Sequence, residues 1–128
     1  MSGDLYPERI WKMFRQPRRA GVFPPKQGAR VGRAGTPAGA ALLELQLLLS
    51  AEERIEDARF RALGCPWLIA TGSWLCGHLI GRRFEDGGGL EPAQVAEQLS
   101  LPAVKRYCAV MACEALADAL QTSESEDV

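Results

Sequence analysis

Four cysteines, Cys65, Cys76, Cys108 and Cys113, and one histidine, His78, are the side chains of this sequence best suited to holding a metal or carrying sulfur. Cys65 stands between Gly64 and Pro66 at the junction of an expected strand and an expected helix. Free backbone N–H groups and the helix dipole favour a thiolate at such a place, and a thiolate is what binds metal or accepts sulfur. Cys108 has a comparable setting just after Leu101-Pro102-Ala103-Val104-Lys105, a proline-containing lead into a last helix. Taken alone, either could instead be a small apolar side chain packed in the core, the usual fate of a free thiol. Cys76 lies eleven residues beyond Cys65. On one helix that is roughly 16 Å along the axis, too far to share a metal. Cys113, five residues beyond Cys108, is about 7–8 Å along and turned off its face. Both read as core or interface packing, and His78 as a surface or interface residue. Trp67 and Trp74, seven residues apart, share one helix face and are either core packing or an anchor for another subunit.

The elements that must position these groups are legible in outline. Leu5 to Phe14 has apolar residues near helical spacing, and Gln16-Pro17 ends the pattern because the residue before proline disfavours the helical conformation. From Arg18 to Gly39 the chain is rich in Gly, Pro, Lys and Arg; it is expected to be irregular, mobile or shaped by a partner. Leu42 to Leu49 and Arg54 to Leu63 read as two strands, joined as a hairpin through the polar link Ser50 to Glu53. Pro66 suits the first turn of a helix running to about Ile80, closed by Gly81, with Arg82 and Arg83 complementing its negative end. Gly87-Gly88-Gly89 is expected to be a flexible loop. Glu91 to Leu99 gives a short helix, and a final helix reaches about Leu120. Residues 122 to 128 form an acidic tail expected to be disordered.

The chain's 128 residues, 47% apolar and 24% charged, suit one ordinary soluble domain, spanning residues 1–121, that can bury its own core. The longest apolar stretch, Ala38 to Leu49, is interrupted by Glu44 and Gln46 and falls short of the roughly 20 residues of a membrane span. The first residues, MSGDLYPERIW, lack the basic start and apolar run of an export signal, so a cytoplasmic protein with free thiols is expected. Residues 1 to 33 hold eight Lys/Arg against Asp4 and Glu8, whereas the rest holds seven against fourteen acids. This basic front, with Arg18 and Arg19 at its centre, is suited to docking on an acidic protein surface. Nucleic acid ranks lower, for want of a basic motif interleaved with aromatics.

Five motifs occur in order: Phe14-Arg15-Gln16-Pro17-Arg18-Arg19-Ala20-Gly21; Gly35-Thr36-Pro37-Ala38-Gly39; Ile55-Glu56-Asp57-Ala58-Arg59-Phe60; Gly64-Cys65; and Leu101 to Cys108. Together they resemble the NifU/IscU-type iron-sulfur cluster assembly scaffolds over nearly the whole chain, from about Ile10 to Leu120. The resemblance implies an α+β fold, a small antiparallel sheet packed against helices. It also implies a non-enzymatic role: receiving sulfur from a cysteine desulfurase, combining it with iron, and passing on a transient cluster, such as [2Fe-2S], with an Hsp70-type chaperone. Leu101, Pro102, Ala103, Val104 and Lys105 match the segment offered to that chaperone, with Ala103 where a second proline is usual.

The ligand set departs from that pattern. The family's first cysteine position matches Gly39, its aspartate Ala41 and its histidine Tyr107, which leaves Cys65 and Cys108. Two thiolates half-satisfy a cluster or a zinc ion, each of which takes about four ligands. The implied function is a scaffold completed from outside, for instance by a homodimer giving two cysteines from each chain. An adaptor or regulator without cluster synthesis is the alternative, as is a persulfide carrier, which needs one accessible thiolate.

Overall fold

The computed structural model describes residues 8–36 and 38–121. In chain order its elements are α1 (Glu8–Arg15), β1 (Arg30–Gly35), β2 (Leu42–Leu49), β3 (Ile55–Leu63), α2 (Pro66–Leu79), α3 (Pro92–Leu99) and α4 (Tyr107–Gln121). Short 3-10 turns cover Pro25–Gln27, Phe84–Gly89 and Ala103–Lys105. The strands form one antiparallel sheet in the order β1-β2-β3, so the architecture is α+β, with helices packed on a small antiparallel sheet.

The leucine-rich strand β2 takes the centre because both of its faces are covered. Leu43, Leu45 and Leu47 are fully buried in the main core with Ala58 and Phe60 of β3 and with α2 and α4. On the opposite face Glu44 is only 2% exposed. Its carboxylate accepts hydrogen bonds from Arg33 Nε of β1 at 2.9 Å and from Arg61 Nη2 of β3 at 3.0 Å, with Gln46 Nε2 at 3.0 Å. Gln46 in turn accepts from the Phe23 N–H at 2.9 Å. A buried carboxylate satisfied on both sides ties three strands in one register, since a slip by one residue would place Glu44 among the leucines.

Two glycines set how closely the helices approach. A Cβ on Gly32 of β1 would fall 2.0 Å from the Ala115 carbonyl oxygen and 2.4 Å from the Ala119 nitrogen. Helix α4 therefore lies directly on β1, its alanines replacing larger side chains. On α2, a Cβ on Gly72 would fall 2.4 Å from the Phe60 ring, so the phenyl group of β3 occupies the space that glycine vacates. Helix α2 is buried on most sides, and its core hydroxyl is satisfied by Thr71 Oγ1 donating to the Trp67 carbonyl at 2.7 Å. Cys76 is part of this core, and Trp67 is buried while Trp74 is half-buried.

The segment Arg18 to Gly39 is more ordered than its composition suggests. Arg30–Gly35 is a third strand, although its sequence is poor in the β-branched and aromatic residues that favour strands. Pairing with β2 and packing under α4 impose the extended conformation, and Asp118 Oδ2 accepts from the edge N–H of Arg33 at 2.9 Å. At the other edge, Gly21 donates to the Phe60 carbonyl at 2.8 Å and Phe60 to the Arg19 carbonyl at 3.0 Å. The chain there forms a short parallel bridge from Ala20 to Phe60. The expected loop at Gly87 to Gly89 is the end of a 3-10 turn, Phe84–Gly89. The expected helix start at Leu5, Pro37 and the acidic tail of residues 122–128 lie outside the described residues.

Candidate functional site

Three segments meet at one end of the sheet. The β1–β2 connection is held by Thr36, whose Oγ1 accepts from the Ala40 and Ala41 N–H groups at 3.1 and 3.2 Å. Leu42 pairs with Leu63 across β2 and β3, which brings this connection beside Gly64 and Cys65: a Cβ on Gly64 would lie 3.7 Å from Ala41 Cβ. The third segment is the start of α4. Tyr107 Oη lies 3.6 Å from Cys65 Sγ, and the thiols of Cys65 and Cys108 influence one another directly. Residues forty-three apart in sequence thus share one site.

Local sequence explains each placement. Cys65 is the N-cap of α2 in extended conformation, and Pro66 occupies the first turn where its missing N–H costs nothing. Cys108 follows the 3-10 turn Ala103–Lys105, which swings the chain from α3 into α4. That turn also sets Lys105 Nζ 5.8 Å from the centre of the Tyr107 ring.

The electrostatics distinguish the thiols. Burial alone would raise the Cys65 thiol. The Tyr107 hydroxyl, the backbone N–H groups of Leu68 and Trp67 and the Lys105 ammonium outweigh it and hold Cys65 below the ordinary thiol value. Cys108 is pushed up to about 12 by burial, reinforced by the neighbouring Cys65 charge. The Tyr107 phenol is pushed up, first by its bond to Cys65 and then by burial, so it stays protonated and serves the Cys65 thiolate as a donor. Cys76 is pushed up to about 12 by burial, and half-buried Cys113 is raised by burial and Glu114. The site thus offers one readily ionised sulfur, a second sulfur beside it, and a phenol between them.

No group of three or more His, Cys, Asp or Glu side chains that could hold a metal occurs among the described residues. In the β1–β2 connection Gly39 is exposed and Ala41, next to Gly64, is buried, and neither carries a side-chain donor. His78 does not approach it: its ring stacks on Trp74 at 4.7 Å between centroids. Tyr107 as a hydrogen-bonding partner of Cys65 was not read from the sequence, and only its position next to Cys108 could have hinted at it.

The expected docking residues are displayed unequally. In Leu101-Pro102-Ala103-Val104-Lys105, Val104 is 79% exposed and Pro102 and Ala103 are also exposed, whereas Leu101 is anchored in the core. Leu101 therefore fixes the segment and is not presented for contact. Arg19 is committed within the chain, its Nη1 lying 2.8 Å from Asp57 Oδ1. Arg18 is exposed and borders a cavity between α1 and α2. Leu42 and Leu63, paired at the strand ends before Cys65, and Val104, Tyr107 and Val110, flanking Cys108 in sequence, leave apolar surface uncovered. No described helix is long and apolar enough to cross a membrane.

Residues 5–127 match the family model of the NifU-like N terminal domain. The chain is 32% identical over 116 residues to the iron-sulfur cluster assembly scaffold protein IscU of Haemophilus influenzae, covering 90% of this chain and 92% of that protein. It is 30% identical over 122 residues to the protein of that name from Escherichia coli, covering 94% and 95% of the two chains. Among solved structures, a putative iron-sulfur cluster assembly scaffold protein for the SUF system from Fervidobacterium islandicum superposes with a TM-score of 0.72 at 14% identity. That match covers 94% of this chain and 100% of the other, and shows likeness of fold.

Proposed function

This chain belongs to the family of NifU-like N-terminal domains, and we propose that it is an iron-sulfur cluster assembly scaffold whose site is completed from outside the chain. The observation that carries this reading is the Cys65–Tyr107–Cys108 cluster: an activated thiol beside a second thiol, with no third ligand from Gly39 or Ala41. Iron and sulfur are the cargo. Two thiolates per chain leave a cluster or a zinc ion about two ligands short. A second copy of the chain, giving a homodimer with two cysteines from each, or a small thiol supplies the rest. The uncovered apolar collar at Leu63, Val104 and Val110 suits closure by another protein.

In this reading the chain holds and passes on its cargo without turning over a substrate, in the cytoplasm, where reductants keep its thiols free. A cysteine desulfurase delivers sulfur to Cys65, and an Hsp70-type chaperone takes hold of exposed Pro102, Ala103 and Val104. Anaerobic reconstitution with ferrous iron and sulfide, followed by iron and acid-labile sulfide analysis, tests the function. The wild type should retain both, and Cys65→Ala and Cys108→Ala should each lose most of them. Retention by both variants removes the reading. Sulfane sulfur on Cys65 with no iron would favour the persulfide carrier instead.

A further inference from the structure

A cavity of about 550 Å³ lies away from the thiols, between α1 and α2. That volume is within the range of small-molecule sites, roughly 300–1,000 Å³. Its lining combines three cations, Arg9, Lys12 and Arg18, with the apolar Met13 and the rings of Trp74 and His78, and contains no acid. Trp74 and His78 stack at 4.7 Å with 16° between their planes, so two aromatic rings sit together in the wall. The same two rings also bound a smaller adjoining hollow of about 300 Å³, where Gln94 and Gln98 supply amide groups and Glu97 the one acid. The Arg9 guanidinium donates to the main-chain carbonyl of Gln98, which ties α1 to α3. Gly77 leaves open space where a side chain would otherwise project.

The cations, the stacked aromatic rings and the Gln16 amide of the lining each demand something different of an occupant. The cations call for a phosphate or carboxylate. The aromatic rings call for a planar ring, which stacks or meets them edge to face. The Gln16 amide can hydrogen-bond the polar edge of that ring. We propose that this cavity binds a small organic anion built on a flat ring, a nucleoside phosphate or an aryl carboxylate, at a site separate from the thiols. Trp74 is nine residues beyond Cys65, roughly 13 Å along the helix, so binding here leaves the thiol end open and α2 connects the two sites.

The probes are AMP and 1-naphthoate, with adenosine and inorganic phosphate as the separate halves and poly-glutamate as a flexible polyanion, titrated into the full chain by two-dimensional NMR. AMP or naphthoate should move the Trp74 indole N–H saturably while that of Trp67, in the core, stays put. Adenosine and phosphate should each bind at least tenfold more weakly. The Lys12→Glu, Arg18→Glu double variant should weaken binding at least tenfold. Gly77→Leu, which fills the cavity without touching its charges, should block it, with circular dichroism confirming that both variants fold. If AMP binds and naphthoate does not, the anion is a phosphate; the converse makes it a carboxylate. No saturable shift with either ring-bearing anion overturns the proposal. So does equal binding of phosphate or poly-glutamate, which would make the cations an ordinary basic surface, and so does indifference to both variants.

Discussion

At the level of single residues, Tyr107 does for Cys65 what a charged partner would do elsewhere. Its phenol stays protonated and stands 3.6 Å from the sulfur, so it stabilises a thiolate without competing as a base. Cys65 should therefore be the fastest of the four thiols to react with iodoacetamide at neutral pH. Cys76 and Cys108, both pushed up to about 12, should react slowly in the folded chain. Tyr107→Phe removes the hydroxyl and keeps the ring, and should slow Cys65 alkylation several-fold at pH 7 while leaving the rate above pH 10 nearly unchanged. Peptide mapping of the alkylated protein reads both effects, and an unchanged rate at pH 7 would assign the activation to the helix N-terminus and Lys105. The place of Cys65 at a strand-to-helix junction was legible from Gly64 and Pro66. The role of Tyr107 was not, because it depends on a contact between residues forty-two apart that no local pattern reports.

At the level of elements, the hairpin and α2 were legible because their signals are local: an apolar run, a polar turn, a proline at a helix start. Strand β1 was not, because Arg30–Gly35 is extended by its neighbours and not by its own propensity. Gly32 shows the difference. It reads as a chain breaker in sequence, yet in the fold it is the point where α4 rests on the sheet. Gly32→Ala should destabilise the protein by about 1–3 kcal/mol or more through overpacking against the backbone. Gly77→Ala, in a helix with open space around it, should stabilise by up to about 1 kcal/mol. Urea denaturation of the two variants measures both, and similar values for the two would contradict the close approach of α4.

The buried ladder across β1, β2 and β3 gives the sheet a pH dependence. Burial would raise the Glu44 carboxyl, but its bonds to Arg61, Gln46 and Arg33 prevail and hold it below the usual carboxylate range. A carboxyl lowered by folding adds stability above its unfolded value, about 4.3, and that contribution is lost as pH falls through the folded value. Stability should therefore decline below about pH 4.3. Glu44→Gln should be less stable at pH 7 and show a flatter acid limb in urea titrations between pH 3 and pH 6.

At the level of the whole molecule, the fold holds the Cys65 and Cys108 thiols and the exposed segment Pro102 to Val104 just before the start of α4, while the cavity lined by Arg9, Lys12 and Arg18 lies between α1 and α2. Family membership explains the frame, and in the reading proposed above Gly39 and Ala41 stand at donor positions that a second copy or a small thiol would have to make good. Ala41 lies next to Gly64, the residue before Cys65, and in the same β1–β2 connection nothing lies within 4 Å of a Cβ on Gly39. Its left-handed φ of 72° would cost a new side chain roughly 1 kcal/mol, which the fold can bear.

The most direct test counts metal per chain by native mass spectrometry after anaerobic zinc titration, comparing the wild type with the Gly39→Cys, Ala41→Asp double variant. The wild type should carry tightly held zinc only as a dimer or with a small thiol attached. The double variant should carry one zinc as a monomer and lose it on Cys65→Ala. A wild-type monomer that holds zinc tightly by itself, or a folded double variant that takes up no more than the wild type, would contradict a site built on Cys65 and Cys108 and completed from outside.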